Sequence, residues 1–155
     1  MSNIVENVEL ETISEAPMGE FTIIESLMGV VPFLIWFGLA IVMLVAFVKI
    51  YLWVTPYHEI DLIKDKNESA AISLGGAMIG FTLPLTSAMD GSANLVDFGM
   101  WGVIAIIAQV LTFSLVRIVF PRTQERIENN ERGMAIFLAA TSITVGMLNA
   151  SSMSY

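Results

Sequence analysis

Pro84 is a residue with direct chemical consequences, because it stands four positions after Gly80 inside an apolar stretch. A proline within a helix donates no main-chain hydrogen bond, so the carbonyl of Gly80 loses its usual partner. Hydroxyl and amide side chains that could satisfy this carbonyl are Thr82, Thr86, Ser87, Gln109 and Thr112. Exposed carbonyls of broken helices coordinate cations in transporters, whereas kinked packing needs no ligand. We favour packing and keep an ion or small-solute path as the alternative.

Small residues recur at a spacing that lets membrane helices approach closely. Gly76 and Gly80 stand four apart, and so do Ser142 and Gly146. Such pairs serve helix packing within one chain or contacts between two chains equally well. A second polar face, in the last apolar stretch, combines Thr141, Ser142, Thr144 and Asn149. We interpret these positions as helix-packing or pore candidates.

Evidence for an enzyme is weak. The chain has no cysteine and a single histidine, so a Cys–His nucleophile is excluded and serines lack a second basic partner. One acidic cluster with that histidine could be imagined as a metal site: His58, Glu59, Asp61 and Asp65. Its short apolar pattern instead predicts a solvated helix lying at the membrane interface. We predict no enzyme activity, no cofactor and no metal.

These residues belong to a chain with the composition of a membrane protein. Of its 155 residues, 55% are hydrophobic and 14% charged, whereas soluble domains carry about 25% charged residues. About 20 apolar residues in a helix cross the hydrocarbon core. Four stretches without Asp, Glu, Lys, Arg or His meet this requirement: residues 26–48, 70–88, 98–116 and 133–155. We predict an all-α integral membrane protein whose membrane domain, 26–155, has four transmembrane helices at about 26–53, 69–89, 97–119 and 132–151.

The basic residues predict the orientation of the chain. Basic residues near span ends are retained on the cytoplasmic side. All seven lie in or beside the first and third connections: Lys49, Lys64, Lys66, Arg117, Arg122, Arg126 and Arg132. We therefore expect both connections in the cytoplasm and both termini outside. Trp36 and Trp101 are predicted at the outer interface, and Tyr51 and Trp53 at the inner one.

Residues 1–25 are acidic and contain no Lys or Arg. A cleaved signal peptide needs a basic start and a short apolar core, and this segment has neither. We predict a polar, non-cytoplasmic amino-terminal extension followed by a first span that stays in the mature protein.

The two basic connections follow one plan. Each passes from a proline, Pro56 or Pro121, to an Asn-Glu pair at 67–68 or 130–131, with spacings of eleven and nine residues. We predict two tandem two-helix repeats related by an axis along the membrane normal, as in parallel-repeat transporters. Asparagine is also a favoured helix N-cap, so independent convergence on good capping is the alternative.

From about residue 27 onward, the sequence resembles the YjfL-like family of bacterial inner-membrane proteins, a domain of unknown function. The similarity is carried by Thr55, Pro56, Leu62, Ile63, Lys64, Asn67, Gly80, Pro84, Leu85, Ser87, Ala88, Trp101, Gly102, Ile104, Ala105, Gln109, Val116, Arg117, Pro121, Ile127, Gly133, Met134, Gly146, Asn149, Ala150 and Met153. The resemblance implies a four-helix inner-membrane protein and transfers no catalytic residue. The acidic extension is longer than the family pattern.

Together these features predict a non-enzymatic scaffold of envelope maintenance in the inner (plasma) membrane, with the lipid bilayer and a homo-oligomer as its first partners. The net charge of −8 argues against nucleic-acid binding. Contacts with membrane-associated proteins are expected at the cytoplasmic connections, through His58, Glu59, Asn67, Arg122, Arg126 and Asn130. The alternative is an oligomeric channel or small-solute transport protein lined near Gly80, Pro84 and Gln109. The packing or pore candidates are Gly76, Gly80, Pro84, Thr86, Gln109, Thr112, Ser142, Gly146 and Asn149.

Overall fold

A computed structural model describes residues 23–55 and 58–153. Within these residues it contains six helices and no strand. In chain order they are α1 (Ile23–Val54), α2 (Glu59–Lys64), α3 (Glu68–Gly91), α4 (Leu95–Val119), α5 (Thr123–Glu128) and α6 (Arg132–Ser152).

The four long helices, α1, α3, α4 and α6, are each long and apolar enough to cross a membrane. The predicted all-α fold with four transmembrane helices is therefore confirmed. Asn94 explains why α4 begins at Leu95, before the predicted residue 97: its side chain accepts hydrogen bonds from the main-chain N–H groups of Val96 and Asp97, each at 3.0 Å. The predicted acidic extension lies outside the described residues, apart from 23–25 at the start of α1.

The chain divides into two compact units, residues 1–35 and residues 36–155. In the first unit the structure describes 23–35, which are helical and whose side chains from Leu27 onward are exposed. The second unit contains the remainder of α1 and all the other helices. It holds the buried core.

Helices α3 and α6 run parallel and approach each other backbone to backbone. A Cβ atom added at Gly76 would lie 2.2 Å from the Cβ of Ala139, and one added at Gly80 would lie 2.4 Å from the carbonyl oxygen of Ser142. Real Cβ atoms do not tolerate such distances, so the glycines are required for this approach. In lipid, the burial of apolar surface does not drive helices together. Helices associate there through close van der Waals contact, which small residues permit.

From residue 36 onward, α1 joins the bundle through aromatic side chains instead. Phe47 stacks on Phe81 of α3 with ring centroids 4.5 Å apart. Tyr51 meets Phe113 of α4 edge to face at 5.3 Å, and Trp36 meets Phe98 at 5.7 Å. Offset and edge-to-face pairs are the arrangements that the ring quadrupoles favour. Tyr51 is 2% exposed, so it packs in the core rather than at the interface where it was predicted, whereas Trp53 is exposed.

Helices α2 and α5 end in the same type of turn. After α2, Lys66 N–H donates to the Ile63 carbonyl and Asn67 N–H to the Leu62 carbonyl; after α5, the matching donors are Asn130 and Glu131. Lys66 and Asn130 adopt positive φ values of 63° and 60°. These are the bonds and the left-handed residue of a Schellman motif. Lys66 therefore corresponds to Asn130, and Asn67 to Glu131.

This register corrects one detail of the sequence interpretation. The two Asn-Glu pairs were expected to open α3 and α6 in the same way, but only Asn67 is an N-cap, whereas the N-cap of α6 is Glu131. Asn130 lies one position earlier because it occupies the left-handed position of the turn, for which asparagine is suited. The tandem duplication itself stays a prediction.

Candidate functional site

Four of the predicted packing or pore residues meet where α3, α4 and α6 come together. We call Gly80, Gln109, Ser142 and Gly146 the three-helix cluster. The Nε2 of Gln109 donates a hydrogen bond to the Ser142 main-chain carbonyl at 3.1 Å, and Gln109 is 2% exposed. A Cβ at Gly80 would lie 3.0 Å from this Nε2 atom. Gln109 therefore fills the space beside a glycine while joining α4 to α6.

Gly80 and Gly146 form the closest backbone contact of the cluster. A Cβ added at Gly146 would lie 2.0 Å from the Gly80 carbonyl oxygen. The hydrogen that glycine carries in that direction points at the oxygen, which is the arrangement of a Cα–H···O contact between packed helices. Pro84 has no N–H group to donate to the Gly80 carbonyl. This carbonyl faces the backbone of α6 at Gly146 instead.

The polar side chains considered as partners for the Gly80 carbonyl all donate elsewhere. Thr82 and Thr86 bond to the Met78 and Leu83 carbonyls of their own helix. Thr112 bonds within its own helix to Ala108, and Ser87 bonds across to Ala150 of α6 at 2.9 Å. Pro84 itself is buried and lies within a continuous α3. The cluster is consequently an interior packing site with its hydrogen bonds used between or within helices.

The remaining candidates of the spans lie apart from this cluster or serve other contacts. Gly76 packs against Ala139. Thr86 is exposed, whereas Thr112 is 5% exposed. Asn149 is half-buried, and its Nδ2 atom has no hydrogen-bond partner among the described residues.

At the connection end, where α2 and α5 lie, Asn67 joins three elements. Its Oδ1 accepts from Ala70 N–H at 2.9 Å and caps α3, while its Nδ2 donates to the carbonyls of Ile127 and Glu128, each at 3.0 Å. In the opposite direction, Asn130 Oδ1 accepts from Ser69 N–H at 2.9 Å. The two asparagines therefore fasten α5 to the start of α3. Asn67 is buried whereas Asn130 is exposed, and their contact with a partner stays a prediction.

Charged side chains at this end form exposed ion pairs. Glu68 and Arg132 pair at 2.8 Å, linking the starts of α3 and α6. Arg126 binds Glu131 through two hydrogen bonds. Its guanidinium holds the pKa of Glu131 below the ordinary value, and that hydrogen bond also raises the pKa of Arg126. Arg122 precedes α5 with a φ of 67° and is exposed, and its contact with a partner stays a prediction.

His58 and Glu59 differ sharply in their surroundings. His58 is exposed, but Glu59 is completely buried at 0% exposure. The expectation of Glu59 as a surface contact of a solvated helix is wrong, because Glu59 shares one helical face with Leu62 and Ile63, the face that packs inward. In a helix of six residues this spacing is too short a pattern to predict the buried face from the sequence. Among the described residues, no group of three or more His, Asp or Glu side chains is arranged to hold a metal ion.

Sequence reasoning also missed a polar group beside Glu59. The Tyr51 hydroxyl and the Ser73 hydroxyl lie 3.3 Å apart, within hydrogen-bond distance, and Ser73 is 0% exposed. Glu59 acts electrostatically on the same Tyr51 hydroxyl. We call Tyr51, Glu59 and Ser73 the tyrosine cluster; it brings α1, α2 and α3 together.

The helices and the buried polar contacts between them define a multi-pass α-helical membrane protein. The chain belongs to the family described as Domain of Unknown Function (DUF350), whose sequence model matches residues 24–153. This confirms the resemblance found in the sequence. No solved structure matches the chain.

Two relatives show how far the similarity extends. The UPF0719 inner membrane protein YjfL of Escherichia coli (strain K12) is 32% identical over 133 residues, which cover 86% of this chain and 98% of the relative. The UPF0719 transmembrane protein YshE of Bacillus subtilis (strain 168) is 21% identical over 118 residues, covering 75% of this chain and 88% of the relative. The family model, which matches residues 24–153, extends over all four long helices.

Proposed function

We propose that this protein is a non-enzymatic component of the bacterial inner membrane that acts by association, as a scaffold in envelope maintenance. The relatives support the location, since one is named an inner membrane protein and the other a transmembrane protein. The basic residues beside α2 and α5 support an orientation with these connections in the cytoplasm and both termini outside.

One observation carries the proposal: Gln109 and Ser87 use their side chains in hydrogen bonds to α6, while α1 leaves a large apolar face uncovered. In the most apolar part of α1 only 6% of the residues are buried, whereas the share is 33% or more in the other long helices. Gly38 lies exposed on α1 with no atom within 4 Å of an added Cβ. An uncovered glycine on a membrane helix lets a second helix approach closely. We propose that a second copy of the chain packs there.

An oligomeric channel lined near Gly80, Pro84 and Gln109 is the competing function. Those residues are buried between α3, α4 and α6 within one chain. They would line a path only if the helices separated and the bond from Gln109 to Ser142 broke. The packing therefore favours the scaffold.

Cysteine cross-linking tests the association, because the chain contains no cysteine of its own. Val42→Cys places a thiol on the exposed face of α1, and Ile136→Cys places a control thiol on the exposed face of α6. In liposomes we expect a disulfide dimer from Val42→Cys that Gly38→Leu abolishes, with little dimer from Ile136→Cys. Equal yields at both positions, or a yield that Gly38→Leu leaves unchanged, would show that α1 is not the interface.

Flux through the purified protein separates scaffold from channel. Liposomes with the inserted protein should pass K⁺ and a neutral sugar no faster than empty vesicles. Flux that Gln109→Leu changes, but that the exposed control Thr144→Val does not, would overturn the scaffold proposal and support the channel.

A further inference from the structure

The tyrosine cluster buries an acidic side chain at the point where α2 docks on the bundle. Glu59 is 0% exposed, Tyr51 is 2% exposed, and Tyr51 meets the fully buried Ser73 at 3.3 Å. We infer that this cluster is a proton-binding site: Glu59 holds a proton while α2 is docked and releases it when α2 leaves the bundle. The inference is independent of the association proposed above, since neither self-contact nor flux enters it.

Burial is the physical reason for the proton. Removing a carboxylate from water penalises its charged form, and the neutral carboxylic acid avoids this penalty while gaining an O–H donor. Glu59 begins a six-residue helix, whose dipole favours a negative charge near its start. That dipolar effect is small beside the desolvation of a buried carboxylate.

Among the described residues, the groups around Glu59 include one titratable hydroxyl and one neutral hydroxyl. Tyr51 faces it from α1, and Ser73 of α3 bonds to that same tyrosine. On α2 itself, Asp61 and Lys64 pair with each other at 3.0 Å and are exposed, and His58 is exposed. At the start of α3, Glu68 pairs with Arg132.

A route for proton exchange lies beside the cluster. A groove of about 280 Å³ is lined by Leu52, His58, Glu59, Ile60 and Asp61. Glu59 therefore lies beside a space large enough for water, although its side chain is covered in the docked state. Helix α2 is six residues long and ends in one left-handed turn at Lys66, and we take it to undock as a unit.

The direction of the pH dependence follows from linkage. If the docked state binds a proton that the undocked state has lost, docking is favoured at low pH and weakens as the pH rises. An exposed glutamate loses its proton at about pH 4.3. Above that pH, the undocking equilibrium should increase about tenfold for each pH unit until the docked carboxyl also ionises.

Thiol labelling of the full chain in lipid nanodiscs measures this equilibrium. Leu62→Cys reports undocking, because Leu62 is half-buried against the core, and Ile60→Cys on the exposed side of α2 is the matched control. Both thiols react faster with a maleimide as the pH rises, because the thiolate is the reactive form. Taking the ratio of the two labelling rates removes this shared dependence on pH. We expect this ratio to increase about tenfold per pH unit above about pH 5, and to stay constant in the presence of Glu59→Gln, which mimics the neutral acid.

Infrared spectroscopy of the unsubstituted protein gives a second readout that needs no variant to fold. At pH 7, where exposed carboxyls are ionised, a C=O stretching band of a protonated carboxylic acid should be present; Glu59→Gln should remove it and the exposed control Asp90→Asn should not. Absence of this band at pH 7 overturns the inference. So does a labelling ratio that is constant in the parent chain or that rises equally with Glu59→Gln.

Discussion

The side-chain amide of Gln109 on α4 donates to the main-chain carbonyl of Ser142 on α6, with the nitrogen and oxygen 3.1 Å apart. This bond is buried beside Gly80 of α3. It uses a buried amide side chain to join α4 to α6 beside α3. Its loss should therefore be measurable as stability.

Replacing Gln109 by leucine should destabilise the bundle by about 1 kcal/mol, because interhelical hydrogen bonds in membranes contribute about 0.6 kcal/mol on average, with values up to about 1.7. Thr112→Val is the control, since the Thr112 hydroxyl bonds only within its own helix, to Ala108. Unfolding by sodium dodecyl sulfate in mixed micelles, followed by circular dichroism, gives both values. An equal loss for the two variants would contradict a special role for the bond to Ser142.

Replacing Gly80 or Gly146 by alanine should be more damaging. The added methyl group would overlap the backbone of the opposite helix, at 2.4 Å and 2.0 Å respectively, and overpacking typically costs about 1–3 kcal/mol. Gly75→Ala is the matched control: it lies on the same helix with nothing within 4 Å of its added Cβ. The same detergent titration should show no loss for Gly75→Ala, and comparable losses at Gly75 and Gly80 would be evidence against the close approach of α3 and α6.

A variant of Asn67, compared with a variant of the cap residue Asn94, should separate the helix cap from the bonds to α5. Asn67→Asp keeps an oxygen for the Ala70 N–H but removes both donors to the carbonyls of Ile127 and Glu128. We expect it to lose about 1–3 kcal/mol, the cost of leaving buried groups unsatisfied. Asn94→Ala, which removes an exposed cap alone, should lose about 1 kcal/mol. If Asn67→Asp proved as stable as the parent protein, the link to α5 would contribute nothing.

Lys66 adopts a φ of 63°, a left-handed conformation that costs a non-glycine residue about 1–2 kcal/mol. Lys66→Gly should therefore stabilise the protein by up to about 1 kcal/mol, part of the gain being offset by the greater freedom of glycine in the unfolded chain. Lys64→Gly, within α2, is the control and should destabilise by about 1 kcal/mol. Thermal unfolding in detergent distinguishes these opposite signs, and destabilisation by Lys66→Gly would contradict the turn.

The Arg126–Glu131 pair should make stability depend on acid. Because Arg126 lowers the pKa of Glu131 in the folded state, the pair stabilises the protein above the unfolded value of about 4.5. This contribution is lost as the pH falls through the lowered pKa. Unfolding midpoints between about pH 3 and pH 7 should decline less steeply for Glu131→Gln than for the exposed control Glu125→Gln. The effect is small, because exposed ion pairs are screened by solvent, and identical slopes would exclude it.

The four spans could be predicted from the sequence, because a helix in lipid needs about 20 apolar residues and the charges lie only between such stretches. The involvement of Gly80, Gln109 and Ser142 in helix packing was likewise visible from their types and spacing. Their mutual contact was not, since nothing in a single sequence determines which of four helices are neighbours.

The burial of Glu59 and the role of Asn130 escaped sequence reasoning for local reasons. Six residues are too few for periodicity to establish which face of α2 points inward. The position of Asn130 depends on the register of a turn, where a shift of one residue exchanges a left-handed position for an N-cap. In both cases the decisive information lies in how the connections dock, not in residue type.

The backbone contact between α3 and α6 also has a consequence for how the protein is made. The two helices that pack most closely, through Gly80 and Gly146, are the second and the last of the four spans to be synthesised. When α1, α3 and α4 of a nascent chain are already in the bilayer, Gly76 and Gly80 of α3 still lack the helix against which they pack. Assembly of the bundle must therefore wait until the ribosome has finished the last helix.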